Sequence, residues 1–374
     1  MEFKIMPRRI LHCIQGMGGG GAERQLSYLA PAQAASGDDV HVVMVDDGVN
    51  STRLRTGCAT IHLLPSRGAH DPLALVRLYR LASRLQPDVI QTWLTRFDIL
   101  GGLVALQRGV PWILSERASA LLYPPTAKNR ARVALARRAT AVIANSAEGI
   151  AYWNPLLPER VRRFVIPNAL ALADIDTARA VDPRTGWVSA ETPLILFAGR
   201  FSAQKNALVM VDAVIRTLRE HAGVALLAGD GPERAGVESA VTASGLGDRI
   251  RVRGYLEDLW SVLKTATVML SPSLFEGHPN VVSEAMACRC PLVLSDIAIH
   301  RRLAHGAALF ADAASAGDLA SALVEVLSDP ARARQRSEAG RAYAEELSVS
   351  AAVASYRHAY DAVGVPTTSG GSRS

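Results

Sequence analysis

Cysteine is scarce in this sequence, with only four among 374 residues. That is too few for a disulfide framework in a chain of this length. Cys288 and Cys290 have no second Cys or His pair at zinc-site spacing, so we interpret them as buried thiols. No apolar run approaches the roughly 18 residues of a membrane-spanning helix, and the first residues lack the apolar segment of a signal peptide. These absences predict a cytoplasmic protein.

Several motifs with defined chemistry are also missing. No Gly-Lys-Ser/Thr follows a glycine-rich loop, which excludes a P-loop. No Asp-x-Asp stands at the end of a predicted strand, where such a motif would hold a metal ion, and no RNA- or DNA-binding motif is present. We therefore predict no bound metal and no nucleic-acid partner.

Charge is distributed unevenly along the chain. Residues 1–180 contain 22 Lys and Arg against 14 Asp and Glu, a net charge of +8, whereas the remainder carries −2. A basic half can face an anionic membrane or a phosphorylated acceptor, and we rank these two first. Part of the charge lies on a predicted basic helix, which fits either an ordinary solvated helix or a membrane-surface or anionic-acceptor patch. Its basic residues are Lys128, Arg130, Arg132, Arg137 and Arg138.

Short apolar runs alternate with helical segments over most of the sequence. This alternation is typical of an α/β fold with doubly wound parallel sheets, and the 49% hydrophobic content suffices for two cores. We predict Rossmann-like domains over residues 1–168 and 194–348, joined by a linker over 169–193. The Gly/Ser/Thr-rich tail, 366–374, is predicted to be disordered.

The first predicted strand, Ile10–Gln15, leads into a glycine-rich loop and a helical segment. Gly16, Gly18 and Gly21 satisfy the G-x-G-x-x-G pattern. The next strand ends at Asp46, where dinucleotide-binding proteins keep an acidic residue for the ribose. An NAD-dependent enzyme or a nucleotide-sugar epimerase that uses this loop is therefore an open alternative.

Two basic residues follow the first predicted strand of the second half. Arg200 stands at the carboxyl end of that strand, and Lys205 follows five residues later at a helix start. A guanidinium contacts phosphate oxygens in a bidentate way, whereas an ammonium acts as a mobile point charge. The pair is therefore a candidate phosphate clamp.

The segment 271–287 combines a buried strand, a turn and a helix with two glutamates. A helix that starts after Pro279 would direct its N-terminus at the carboxyl edge of a sheet, where free N–H groups attract an anion. Glu276 lies in the loop before that helix, and Glu284 lies about one turn inside it. Two carboxylates beside a phosphate site suit the hydroxyl-rich ends of a nucleotide-sugar.

In their surrounding sequence, S-L-F-E-G-H-P-N-V-V-S-E-A-M-A, Glu276 and Glu284 resemble the Glu-x7-Glu donor-site signature of glycosyltransferase family 4. The resemblance covers nearly the whole chain. It implies a retaining glycosyltransferase that needs no metal or other cofactor. It also implies the GT-B fold, with two Rossmann-like domains facing a central cleft and a C-terminal helix, about 349–362, that crosses back onto the first domain.

The same resemblance implies the roles of individual residues. Arg200 and Lys205 would hold the donor diphosphate, with Glu276 on the transferred sugar, and these three are the expected catalytic residues. Glu284 would bind the ribose. Arg96 lies in the acceptor-side loop, where many relatives have a histidine. The other expected substrate contacts are Gly18, Gly19, Gly20, Gly21, Gly254, Tyr255, Leu256, Gly277, His278, Pro279, Asn280 and Val281.

The Q-T-W-L and W-I-L-S-E-R segments resemble a polysaccharide-building branch of the family. We therefore expect transfer of a hexose-type sugar from a UDP- or GDP-sugar to a glycan or lipid-linked acceptor of the cell surface. The protein would then work in the cytoplasm, in peripheral contact with the anionic inner face of the membrane. A non-catalytic nucleotide-sugar-binding protein is the second open alternative.

Overall fold

The computed structural model describes residues 7–66, 68, 71–117 and 123–365. Contacts divide the chain into two units: residues 1–169 with 349–374, and residues 170–348. The tail predicted to be disordered, 366–374, lies outside the described residues.

The first unit is built on one parallel sheet. Its strands are β1 (Arg9–Cys13), β2 (Asp39–Met44), β3 (Thr60–Leu63), β4 (Val89–Trp93), β5 (Trp112–Glu116), β6 (Ala141–Ala144) and β7 (Arg162–Val165). Among the described residues their order is β3-β2-β1-β4-β5-β6-β7. The helices between them are α1 (Gly21–Ala35), α2 (Ser51–Thr56), α3 (Leu73–Leu85), α4 (Leu94–Arg108), α5 (Ala127–Ala136) and α6 (Ala147–Trp153).

The central strands of this sheet are buried along their whole length, because helices cover both faces. One apolar core includes Leu26 and Ile113, and the core on the other face includes Leu78 and Trp112. The edge strand β3 was not predicted from the sequence. All four of its residues keep some exposure, so it lacks the continuous apolar run that marks the central strands.

The second unit repeats the same plan. Its strands are β8 (Leu194–Ala198), β9 (Val224–Ala228), β10 (Ile250–Arg253), β11 (Val268–Ser271), β12 (Leu292–Ser295) and β13 (Leu309–Ala311). All are parallel, in the order β10-β9-β8-β11-β12-β13. The helices are α7 (Leu172–Thr177), α8 (Ala207–Glu220), α9 (Arg234–Ser244), α10 (Leu259–Leu263), α11 (Asn280–Ala287), α12 (Ala298–Ala304), α13 (Ala316–Ser328) and α14 (Pro330–Glu345). The prediction of two Rossmann-like parallel sheets is confirmed.

The last helix, α15 (Val349–Ala362), packs on the first unit. Tyr360 is fully buried there, and its hydroxyl donates to Gln91 Oε1 at 2.6 Å and accepts from Gln33 Nε2 at 3.1 Å. Because a buried hydroxyl without partners is costly, these bonds fix the register of the helix on the sheet. The segment after residue 169 instead joins the second unit, with Ile175 in its core.

Candidate active site

Four loops of the second unit meet at one edge of its sheet. The parallel strands β10, β9, β8 and β11 are neighbours, so the loops that follow them emerge at the same carboxyl edge. These loops carry Gly254, the turn at 229–232, the segment 199–206 and the segment 272–279. The structure thereby groups the second-half residues that the sequence predicted to bind substrate.

Glu276 lies in the loop between β11 and α11. The helix begins at Asn280 directly after Pro279, as the turn chemistry of the sequence predicted. Glu276 is buried with 8% of its surface exposed, and Glu284, inside the helix, is buried with 3% exposed. Both carboxylates therefore lie within the loop and helix rather than on an outer solvated face.

Lys205 ends a short 3₁₀ turn, Ala203–Lys205, between β8 and α8. The next residue, Asn206, has a left-handed backbone with a φ of 57°, which Asn tolerates better than most residues. Asn206 Nδ2 donates to Pro272 O at 3.3 Å and to Ala313 O at 2.7 Å. The turn that carries Lys205 is thus tied directly to the loop that carries Glu276.

Gln204 strengthens that connection between the two loops. Its carbonyl oxygen accepts from Leu274 N at 2.9 Å, and its side-chain amide donates to Phe275 O at 3.1 Å. As a result, Lys205 Nζ donates a hydrogen bond to Glu276 Oε1 and forms an ion pair with it. The two residues that the sequence predicted on diphosphate and on sugar are direct neighbours.

Arg200, in the segment after β8, is exposed, and its Cγ would lie 3.0 Å from a Cβ at Gly231 in the turn at 229–232. Among the described residues it forms no ion pair. The turn packs backbone against backbone: a Cβ at Gly229, whose φ is 154°, would lie 1.9 Å from Gly199 O, and one at Gly231 would lie 2.3 Å from Phe201 O. Only glycine permits this approach of the two backbone segments. Arg200 itself is exposed, so its guanidinium is accessible to an anion.

The remaining predicted contacts of this unit surround the same edge. Tyr255, after β10, is 71% exposed and presents its ring to solvent. His278 and Pro279 are buried in the turn before α11, whereas Gly277 and Val281 are half-buried. The turn's residues shape the loop, and Tyr255 offers an accessible aromatic surface at the edge.

In the first unit, the glycine loop is closed from one side by the segment after β2. Gly16 pairs with Asp46, Met17 N donates to Asp46 O at 3.1 Å, and a Cβ at Gly48 would lie 2.3 Å from Met17 O. Gly18 to Gly21 remain exposed at the start of α1. The Asp46 carboxylate is exposed and accepts from Gln15 Nε2 at 2.7 Å.

Arg96 lies beside this loop, in the first turn of α4. Its guanidinium donates to Gln15 Oε1 at 2.8 Å, to Ser66 Oγ at 3.1 Å and to Gly68 O at 3.0 Å. Gln15 was predicted as the end of the first strand but not as a site residue. A polar residue at the end of a buried strand is nevertheless a signal for the carboxyl edge of the sheet. Gln15 joins Asp46 to Arg96 and fixes the arginine without neutralising it directly.

Arg132 of the predicted basic helix does not lie on the surface, which corrects the expectation from the sequence. Arg132 is 1% exposed, donates to Asp98 Oδ2 at 2.7 Å and Glu116 Oε2 at 3.0 Å, and lies against the Tyr123 ring. Burial is also the main cause that raises the pKa of Asp98 to about 6. Arg132 is therefore part of a buried ionic cluster and cannot contribute to a surface patch.

The two cysteines near α11 carry no metal site in the described part of the chain, where no group of three potential ligands gathers. Cys290 is buried and Cys288 half-buried, and both are free thiols. Burial raises the pKa of Cys288 to about 12, so the thiol stays protonated at neutral pH. A structural role fits both residues.

Two family profiles match the chain. Residues 19–173 match Glycosyltransferase Family 4, and residues 192–329 match Glycosyl transferases group 1. The first match lies in the first unit except for its last four residues, the second lies in the second unit, and together they cover most of the sequence.

Individual proteins also match this chain, at low sequence identity. The alpha-maltose-1-phosphate synthase of Mycobacterium tuberculosis is 30% identical over 67% of this chain and 72% of its own. The UDP-Gal:alpha-D-GlcNAc-diphosphoundecaprenol alpha-1,3-galactosyltransferase of Escherichia coli is 24% identical over 68% of each chain. The match to the alpha-D-kanosaminyltransferase of Streptomyces kanamyceticus is 29% identical and spans about half of each chain, 52%.

Among solved structures, HepE of Anabaena in complex with UDP-glucose superposes with a TM-score of 0.82 at 18% identity, covering 95% of this chain and 100% of that one. At this identity the likeness concerns the fold.

Proposed function

Since this chain belongs to the group 1, or family 4, glycosyltransferases and has their GT-B fold, we propose that it moves a hexose-type sugar from a UDP- or GDP-sugar to a glycan or lipid-linked acceptor. The configuration at the anomeric carbon is retained. Within this proposal the protein works in cell-surface polysaccharide or glycoconjugate synthesis.

The observation that carries the proposal is the ion pair of Lys205 and Glu276 beside the exposed Arg200. An ammonium has three N–H donors, and Glu276 uses one of them, so Lys205 keeps two for phosphate oxygens. Arg200 supplies a second, bidentate donor set. The group therefore suits a diphosphate with a hydroxyl-rich sugar next to it.

The proposed transfer needs no nucleophilic residue of the protein. The acceptor oxygen forms a bond to the anomeric carbon on the face from which the diphosphate departs, and the bond from that carbon to the phosphate oxygen breaks. The acceptor proton passes to the leaving phosphate oxygen. Arg200 and Lys205 stabilise the negative charge on the diphosphate, while Glu276 stabilises positive charge at the anomeric carbon.

Other residues bind and orient the substrates in this proposal. Glu284 accepts hydrogen bonds from ribose hydroxyls, and the Gly254 to Leu256 segment contacts the base. Arg96 binds the acceptor, and its guanidinium suits an acidic group such as the diphosphate of a lipid-linked acceptor. The Escherichia coli relative is named for a diphosphoundecaprenol acceptor, which supports this choice.

The surface of α3 and α5 supports peripheral contact with an anionic membrane. The exposed basic residues of α3, of α5 and of the two positions after α5, which we term the basic face, are Arg80, Arg84, Lys128, Arg130, Arg137 and Arg138. In α3, α4 and α5, which the structure describes in full and which pack in a row, no exposed residue is acidic. Within the described residues no helix is long and apolar enough to cross a bilayer. We therefore propose attachment by charge.

The dinucleotide alternative is disfavoured by the first unit. Asp46, its expected ribose ligand, accepts a hydrogen bond from Gln15, and the residues after Asp46 press against Met17 of the glycine loop. The packing beside the glycine loop therefore counts against a dinucleotide there, although the Asp46 carboxylate is exposed and keeps further acceptor positions. The experiment in the next paragraph distinguishes an enzyme from a protein that binds a nucleotide-sugar without turning it over.

The test is incubation of the purified protein with a panel of UDP- and GDP-sugars. Binding of the correct donor should raise stability by about RT ln(1 + [L]/Kd), on the order of 2.7 kcal/mol at a hundredfold excess over Kd. With a membrane extract as acceptor source, nucleoside diphosphate should be released only in the presence of that extract. A thermal shift without release would indicate a binding protein, and a new sugar isomer without acceptor would indicate an epimerase.

A further inference from the structure

His300 lies in α12, two residues after the helix begins, and its side chain is fully buried. Its Nδ1 is 3.0 Å from Ser295 O and 3.0 Å from Ser295 Oγ, at the end of β12. A carbonyl oxygen only accepts, so Nδ1 carries the proton and donates to Ser295. Among the described residues Nε2 has no hydrogen-bond partner, which leaves Nδ1 as the polar anchor of the ring.

Ser295 passes this contact to the loop that carries Glu276. Its hydroxyl donates to Ser273 O at 2.5 Å, three residues before Glu276. The strands β11 and β12 are parallel neighbours, which brings Ser295 beside the start of this loop. A buried polar chain therefore runs from His300 through Ser295 to Ser273, and all three residues have no exposed surface.

The loop is thus held from two sides. Gln204 and Asn206 tie it to the turn of Lys205, as described above, and Ser295 ties it to β12 and α12. Burial is the main cause that lowers the pKa of His300 to about 4. Among the smaller influences, the charge of Glu276 raises this pKa and that of Lys205 lowers it. The ring is neutral at neutral pH and lies within electrostatic reach of the ion pair, so it adds no positive charge that would compete with Lys205 for Glu276.

We propose that His300 is a positioning residue for sugar transfer: through Ser295 it holds the 272–276 loop so that Glu276 meets the anomeric carbon. This inference rests on the proposed function for its catalytic consequence. A displacement of about 1 Å in a reacting group can cost about 10²-fold in rate, so even a small relaxation of this loop should be measurable. Binding of the diphosphate by Arg200 and Lys205 should be affected much less.

The decisive variants are His300→Leu, which removes the Nδ1 donor, and His300→Asn, whose amide can place an N–H near the position of Nδ1. In hydrogen exchange, amides of the 272–276 loop should exchange about fivefold faster in His300→Leu, the equivalent of one net hydrogen bond. His300→Asn should exchange like the wild type. Equal exchange in all three proteins, or equal acceleration in both variants, would overturn the proposal.

Kinetics with the donor that the wild type turns over give the second readout. His300→Leu should lower kcat by about tenfold or more while the calorimetric affinity for UDP or GDP stays within about twofold, and His300→Asn should recover most of kcat. A parallel loss of nucleoside-diphosphate affinity and kcat would instead indicate general damage to the unit and would sink the proposal. If His300→Leu does not fold, the same readouts on His300→Asn and Ser295→Ala decide.

Ser295→Ala, which removes the middle of the chain, completes a double-mutant cycle. The double variant should lose no more kcat, and its loop amides should exchange no faster, than in the more affected single variant, because both residues act through Ser273 O. Additive losses would contradict a shared path. If the wild type turns over no nucleotide-sugar, the proposed function fails, whereas hydrogen exchange still decides whether His300 holds the loop.

Discussion

Lys205 Nζ donates to Glu276 Oε1, although the two residues are 71 positions apart in sequence. The carboxylate is the more buried partner, with 8% of the side chain exposed against 20% for the lysine. A buried charged group without a partner is costly, so the contact between Lys205 and Glu276 offsets the cost of burying both side chains. In the proposed function the same ammonium binds the diphosphate with its two remaining donors.

Replacement of Lys205 by Ala should weaken binding of the free nucleoside diphosphate as well as the donor. Removal of one partner of a desolvated charge pair costs about 2–5 kcal/mol, which corresponds to a loss of affinity of about 30-fold or more. Lys264→Ala is the matched control, because Lys264 lies in the same unit and donates only to carbonyl oxygens of α7 and the residue after it. Calorimetry that finds the same affinity for wild type and Lys205→Ala would remove Lys205 from the diphosphate site.

The two glutamates should respond differently to substitution. In the proposed function Glu284 contacts the ribose in ground state and transition state alike, so Glu284→Ala should mainly raise the donor KM. Glu276→Gln keeps the size of the side chain and removes the charge that the proposed function places beside the anomeric carbon, so kcat should fall by about 10²-fold or more. Steady-state kinetics on both variants measure the split. Normal turnover by Glu276→Gln would show that its charge is not used.

The basic face should govern binding to anionic vesicles. Each basic residue near an anionic surface contributes about 1 kcal/mol, so Arg130→Gln with Arg137→Gln should weaken partition by about 30-fold. Added salt should weaken wild-type binding steeply, because a higher ionic strength shortens the Debye length. Arg132 is left unchanged in this test because it is buried between two carboxylates.

The control for that experiment removes the same charge elsewhere. Arg219 and Arg334 are exposed in the second unit, so the double Gln variant at these positions has the same net charge as the first. It should bind vesicles like the wild type. Equal weakening by both pairs would mean that overall charge matters rather than the basic face.

Acid should destabilise the first unit through His12. Its ring is fully buried and bonded at both nitrogens, to Gln33 Oε1 at 2.8 Å and from Trp93 Nε1 at 3.2 Å. Burial lowers the pKa of His12 from 6.5 to about 4. The unfolded state therefore binds the proton more tightly than the folded state does. Burial of the neutral His12 ring contributes fully to stability above pH 6.5, and this contribution is lost as the pH falls towards 4.

By pH 5 the loss from this one group should be about 2 kcal/mol. Thermal unfolding of wild type and His12→Gln at about pH 7.5 and pH 5 measures it, because the amide bonds at both ends but does not titrate. His300 acts in the same direction and Asp98 in the opposite one, and both are common to the two proteins. An equal decrease in both proteins would exclude His12 as the titrating group.

The sequence by itself determined the class of fold and the candidate site residues of the loop between β11 and α11. Buried parallel strands read as continuous apolar runs, so β8 and β11 were recognisable without any tertiary information. The start of α11 after Pro279 followed from the restricted backbone of proline. Arg200, two residues after β8, and Glu276, in the loop between β11 and α11, are site candidates because the loops after such strands lie at the edge where α/β proteins bind ligands.

Only the tertiary structure decided which of these residues touch. The pairing of Lys205 with Glu276, and the polar chain from His300 to Ser273, depend on the adjacency of β8 with β11 and of β11 with β12. Strand order is set by how whole elements pack, so local composition cannot encode it. The burial of Arg132 has the same cause: a helix that looks solvated in sequence carries one arginine inward, where two carboxylates from distant segments stabilise its charge.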